Sequence, residues 1–91
     1  MILGLVGKTL ENKLRKAFQP LALEVIDESA QHHGHSGARA GGESHFRVKI
    51  TANAFAGKTR IEQHRMINTV LAEELEKQVH ALAIEVMAPK A

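Results

Sequence analysis

The sequence predicts an α+β domain of two layers, with helices on one face of a three-stranded mixed sheet and the order helix, strand, strand, helix, strand. Three observations carry that expectation. Apolar residues recur at helical spacing early in the chain and again past its middle. Three other stretches alternate or run apolar over strand length. Between two of these patterns, Thr59-Arg60-Ile61-Glu62 spells a helix start.

Each element has its own local reason. From Val6 to Phe18, the residues Val6, Leu10, Leu14, Ala17 and Phe18 fall on one helical stripe, with Lys8, Glu11, Lys13 and Arg15 elsewhere. Pro20 ends this helix, because the residue before a proline avoids helical angles. Leu21, Leu23 and Val25 then alternate with Ala22, Glu24 and Ile26, a period of two that predicts a strand. Positions of about 28–43 form a loop holding four glycines, Gly34, Gly37, Gly41 and Gly42, in no regular pattern. Phe46, Val48 and Ile50 against His45, Arg47, Lys49 and Thr51 give a second strand with one wet face. A connector from Ala52 to Lys58 contains Phe55 and Gly57. In the capping box that follows, the Thr59 hydroxyl and the Glu62 carboxylate satisfy reciprocal backbone donors. The second helix is expected to run to about Glu76, burying Ile67, Val70, Leu71 and Leu75. Val79 to Val86 forms the third strand, and residues 88–91 fray. The first two strands should pair antiparallel, and the crossover helix should deliver the third parallel to a neighbour with right-handed connection.

Composition bounds the class. Ninety-one residues suit a single domain over 1–91, and a chain of this size buries roughly 60–65% of its unfolded surface. Apolar and charged fractions of 44% and 24% are ordinary for a folded domain and argue against disorder. The net charge of +2 arises from 12 basic and 10 acidic residues that are interspersed, which gives little support to nucleic-acid binding. No cysteine is present, so the chain supplies neither disulfides nor thiolate ligands. The opening Met1-Ile2-Leu3-Gly4-Leu5-Val6 is far shorter than the ~20 residues of a membrane span, and no cleavage signal follows. A cytoplasmic protein without membrane contact is the expectation.

Several segments, in order, make the chain resemble the BolA family. They are Leu14–Pro20 (LRKAFQP), Leu23–Ser29 (LEVIDES), Glu43–Val48 (ESHFRV), Phe55–Lys58 (FAGK), His64–Ile67 (HRMI), Leu71–Leu75 (LAEEL) and Val79–Leu82 (VHAL). Together they span nearly the whole length. The resemblance implies a fold like the type II KH domain, which agrees with the element order above. It also implies partnership with monothiol glutaredoxins, with or without a shared [2Fe–2S] cluster. In that family the histidine at the start of the last strand is a cluster ligand, a role that maps onto His80. A second ligand, His or Cys, comes from the loop between the first two strands and falls on His32, with His33 and His35 as alternatives. The glutaredoxin cysteine, with glutathione, would complete the other iron.

Pattern alone leaves the sites open. From pattern alone His80 reads as a polar residue at a strand mouth sharing a face with Leu82, Ile84 and Val86, and only the resemblance makes it a ligand. Imidazole is a good iron ligand, and histidine in place of thiolate on one iron raises a cluster's potential and makes ligation sensitive to pH. With histidines and no thiolate, the chain would hold one iron of a bridging cluster and bind none when alone. The loop histidines also read as a solvated segment or an adventitious Zn²⁺ or Ni²⁺ binder. His64 is expected to face inward or cap the layer, and His45 to be solvated. Lys58, Arg60 and Arg65 form a basic surface for nucleic acid or an acidic partner, or simply a solvated face. Gly34-His35-Ser36-Gly37 has the letters of the KH backbone clamp but lies between strands, where the KH loop joins two helices, so it is read as coincidence. Phe18, Phe46 and Phe55 are the only aromatics, with Phe18 and Phe46 on buried stripes, which leaves little stacking capacity. No nucleophile or phosphate loop is recognisable, and neighbouring Asp27 and Glu28 point to opposite sides, so no enzyme is expected. The expected function is a non-enzymatic adaptor, monomeric alone and heterodimeric with its glutaredoxin, in iron–sulfur maturation or iron regulation. The alternative is a DNA-binding transcriptional regulator acting through the second helix.

Overall fold

In the computed structural model, residues 4–28, 44–77 and 79–88 are described. Helix α1 covers Leu5–Phe18, strand β1 Ala22–Asp27, strand β2 His45–Thr51, helix α2 Arg60–Val70, helix α3 Ala72–Lys77 and strand β3 Ala81–Met87. A single 3₁₀ turn, Asn53–Phe55, follows β2. The three strands form one sheet in the order β1-β2-β3, with β2 antiparallel to β1 and parallel to β3. This is the α+β architecture with a three-stranded mixed sheet that the sequence predicts. The loop histidines His32, His33 and His35, and the Gly34–Gly37 stretch, lie outside the described residues.

The core forms where the helical stripes meet the apolar side of the sheet. Leu10 and Leu14 of α1 and Ile67 of α2 pack with Val25, Phe46, Val48 and Ile50. Gln19 closes α1 in the left-handed region at φ 47°, and its N–H donates to the Arg15 carbonyl at 3.0 Å. Arg15 and Lys16 in the last turn complement the helix dipole. At the N-terminus of α2 the capping box is complete: Thr59 Oγ1 accepts from the Glu62 N–H at 3.1 Å, and the Thr59 N–H donates to Glu62 Oε1 at 2.9 Å.

Four expectations about elements need correction. Ala17 is exposed, because α1 turns its buried stripe through Gly7, Leu10 and Leu14, with Phe18 only partly covered. The long second helix is two helices, interrupted at Leu71, whose ψ of 15° departs from helical values. Thr69 Oγ1 donates back to the Arg65 carbonyl at 2.9 Å just before the break, a contact of the type that bends helices. Leu71 stays fully buried across the junction. The third strand begins at Ala81, two residues late, because the His80 and Ala81 N–H groups both turn to the Ser44 carbonyl, at 2.8 and 3.2 Å. Phe55, assigned to a plain connector, is fully buried and packs against Phe18 with ring centroids 4.9 Å apart.

Candidate functional site

Parallel pairing of β2 with β3 sets His45 opposite Ala81, so both strands start at the same end of the sheet. His80, immediately before β3, therefore arrives beside His45. His80 is exposed and His45 half-buried. Their rings lie 6.3 Å apart, centroid to centroid, with planes inclined by 19°. Ser44 connects them. Its side chain is buried, its Oγ lies 2.9 Å from His45 Nδ1, and its carbonyl holds the His80 backbone. The expectation of a merely solvated His45 is therefore corrected: it stacks on His80 and is tied to Ser44.

The segment 29–43, which carries the loop histidines, departs after Glu28 and rejoins at Ser44. Both anchors belong to this end of the sheet, since the Glu28 N–H donates to the His45 carbonyl at 2.7 Å. One cation braces the same end. Arg47 Nε donates to Glu28 Oε2 at 2.9 Å, and its Nη1 to Glu85 Oε2 at 2.8 Å, so one guanidinium on β2 links β3 to the residue that follows β1. Hydrogen bonding to Glu28 and then to Glu85 raises the Arg47 pKa further. Glu28 is thus committed to an ion pair.

The basic residues occupy a different place. Lys58, Arg60 and Arg65 are all exposed around the start of α2. Glu62 sits among them, its carboxyl held below the usual value by the Thr59 backbone N–H, then the Thr59 hydroxyl, with Lys58 and Arg65 adding to the effect. That carboxylate weakens the patch as an anion site. His64 is half-buried, lining a groove between α2 and the β3 edge with Arg60, Ile84, Val86 and Met87. It faces a groove instead of the core. This groove lies toward the Met87 end of β3, whereas His80 lies before its Ala81 end. The two candidate surfaces are separate.

Among the described residues no group of three or more His, Cys, Asp or Glu side chains could hold a metal ion. Two imidazoles suit a coordination sphere completed by other donors and do not suit a closed four-ligand site. The donor set thus fits a share in one iron of a histidine-ligated cluster. That His45 and Ser44 would meet His80 was not foreseen, because the meeting depends on strand register, which spacing along the chain does not carry.

Fold and site together define a small α+β domain that presents imidazole at one end of a mixed sheet. The chain belongs to the BolA family: the family model described as "BolA-like protein" matches residues 14–91. It is 48% identical over 80 residues to the DNA-binding transcriptional regulator BolA of Escherichia coli (strain K12), covering 88% of this chain and 72% of that one. Among solved structures, the BolA domain of SufE1 from Arabidopsis thaliana superposes with a TM-score of 0.86 at 41% identity, over 97% of this chain and 96% of that one. BolA1 from Mus musculus gives a TM-score of 0.80 at 37% identity, over 96% and 68% of the two chains.

Proposed function

We propose that this chain is a non-enzymatic, cytoplasmic adaptor that binds a monothiol glutaredoxin and co-ligates a bridging [2Fe–2S] cluster, for iron–sulfur maturation or iron regulation. The observation that carries this reading is the state of His80. Its backbone is fastened to the buried Ser44, while its side chain is exposed at the sheet end from which the segment 29–43 departs. An imidazole so held can meet an incoming ligand with little loss of ordering entropy. His80 would supply one nitrogen to iron, and His32, or alternatively His33 or His35, a second. The glutaredoxin cysteine and glutathione would hold the other iron. Alone, the chain has no thiolate and is expected to be monomeric without a cluster.

Mixing the purified chain with cluster-loaded monothiol glutaredoxin tests this. A change in visible absorption and circular dichroism at equimolar ratio, absent in His80→Ala, is expected; no change with the wild-type chain would sink the reading.

A second reading rests on a specific observation: relatives from Escherichia coli and Vibrio cholerae carry the name DNA-binding transcriptional regulator BolA, at 48% and 41% identity. Here the start of α2 would approach the DNA backbone through Lys58, Arg60 and Arg65. Binding must then weaken with salt and with Arg65→Ala, since each lost phosphate contact reduces the salt slope by roughly one. Sequence-independent binding would remove its regulatory content.

A further inference from the structure

Strand β3 is an edge that the helices leave partly uncovered. Strand pairing sets Val25, Val48 and Ile84 side by side on the helix-facing side of the sheet. Val25 and Val48 are buried, whereas Ile84 is only half-buried. Leu82 and Val86 repeat this beside the buried Phe46 and Ile50. The helical layer that seals β2 thins across β3.

The backbone of β3 is open along the same edge. The Ala81 N–H turns to the Ser44 carbonyl at 3.2 Å, and the Met87 carbonyl accepts from the Ala52 N–H at 3.3 Å. The odd-numbered residues therefore direct their polar groups toward β2. Backbone groups alternate in direction along a strand, so Leu82, Ile84 and Val86 direct theirs outward, where no further strand of the described residues lies. Edges of this kind are usually blunted by proline, lysine or a bulge. Ala81–Met87 contains neither residue and pairs with β2 in unbroken register. Its one charge, Glu85, lies on the opposite face and is held by Arg47 at 2.8 Å.

The groove beside this edge has a polar wall. Arg60 and His64, one turn apart on α2, line it opposite Ile84, Val86 and Met87. Neither side chain has a hydrogen bond or ion pair among the described residues. Gln63 between them donates to the Phe55 and Lys58 carbonyls at 3.1 and 3.3 Å, which fixes the start of α2 in place.

We propose that this edge takes an extended segment of a partner protein as a fourth strand. Its backbone would bond to Leu82, Ile84 and Val86, and its inward side chains, apolar around one carboxylate, would fill the groove. Main-chain bonds supply affinity in such strand addition, and alternate side chains supply specificity. Charge complementarity selects the occupant. Strand β3 of a second copy would present Leu82, Ile84 and Val86 inward and offer Arg60 and His64 no carboxylate. Pairing through β1 of a second copy would be head-to-tail and would propagate without closing. A nucleic-acid strand would find no aromatic side chain in the groove on which to stack. The groove lies toward the Met87 end, away from His80, so the proposal does not rest on the glutaredoxin reading.

The experiment titrates the full ¹⁵N-labelled chain with the capped peptide Thr-Val-Thr-Glu-Thr-Val-Thr, whose two valines and glutamate share one face when extended. The Leu82, Ile84 and Val86 amides should shift, and their exchange with solvent should slow. Arg60→Glu should weaken binding by about tenfold or more, and a peptide with lysine in place of its glutamate should then gain by a similar factor. Arg60 is exposed at the start of α2, where a carboxylate suits the helix dipole, so this variant folds. Arg60→Gln, which removes the charge without reversing it, should fall between. Two further peptides carry N-methyl groups on alternate residues, along one strand edge or the other. One of them should lose binding and the other keep it.

Equal binding by both methylated peptides, or equal binding of the glutamate and lysine peptides to the parent chain, overturns the proposal. Self-association that protects the same three amides without peptide would assign the edge to a second copy. Displacement of the peptide by single-stranded oligothymidine would assign the groove to nucleic acid. Either of these results also overturns it.

Discussion

Individual side chains divide here between those that hold the sheet end and those that stand exposed on it. Ser44 and Arg47 hold: one through a buried hydroxyl and carbonyl, the other through paired carboxylates. Glu74 is another holder. It is 7% exposed, and its carboxylate lies 2.9 Å from Lys13 Nζ, tying α3 to α1. The hydrogen bond that Lys13 donates to Glu74 is the main reason the Lys13 pKa is raised. A double-mutant cycle of Lys13→Ala and Glu74→Ala, followed by denaturant unfolding, should show a favourable coupling between the two. Additive effects would mean that the pair contributes nothing as a pair. Glu62 gives a pH prediction. Its folded-state pKa is lowered from 4.5, so its contribution to stability is present above that value and is lost as pH falls through the folded pKa. Glu62→Ala should therefore lower the melting temperature at neutral pH and have a smaller effect in strong acid. An equal penalty at both pH values would show that the carboxylate charge is irrelevant to the cap.

At the scale of elements, local signals determine where a segment begins more firmly than how it continues. Thr59 and Glu62 sit three residues apart, and both capping bonds form. Thr59→Ala should cost about 1 kcal/mol by thermal or denaturant unfolding, with a range of about 0.5–2 kcal/mol for such caps. No measurable cost would mean that α2 starts independently of its cap. The break at Leu71 was not legible, because Ile67, Leu71 and Leu75 keep the four-residue spacing of an unbroken helix. Only the Thr69 back-bond and the resulting geometry reveal it. The junction between α2 and α3 also contains no glycine, so it offers no glycine pair of the kind that clamps a nucleic-acid backbone. The strands were legible from the alternation of Phe46, Val48 and Ile50, and so was the position of His80 at the threshold of β3. His45 was not, since a histidine on the polar side of a strand looks solvated until parallel register brings another histidine to it.

Over the whole molecule, stability and site chemistry rest on different residues. Phe55 shows the first: a lone aromatic in a turn has no periodic neighbours to mark it as core, yet it is fully buried between the end of β2 and α1. Truncating such a side chain removes its transfer free energy and leaves a cavity, so Phe55→Ala should cost about 3–5 kcal/mol. For a domain of this size each kcal/mol lowers the melting temperature by about 4–8 °C, and total stability is only about 5–15 kcal/mol. Phe55→Ala should therefore melt more than about 10 °C below the parent chain, a shift read directly by far-ultraviolet circular dichroism. His80→Ala removes an exposed side chain whose backbone bond to Ser44 is retained, so it should change stability by no more than about 0.5 kcal/mol. The two variants separate the scaffold from what it presents. If His80→Ala proved as destabilising as Phe55→Ala, His80 would be a structural residue, and its loss of metal or cluster binding would say nothing about ligation.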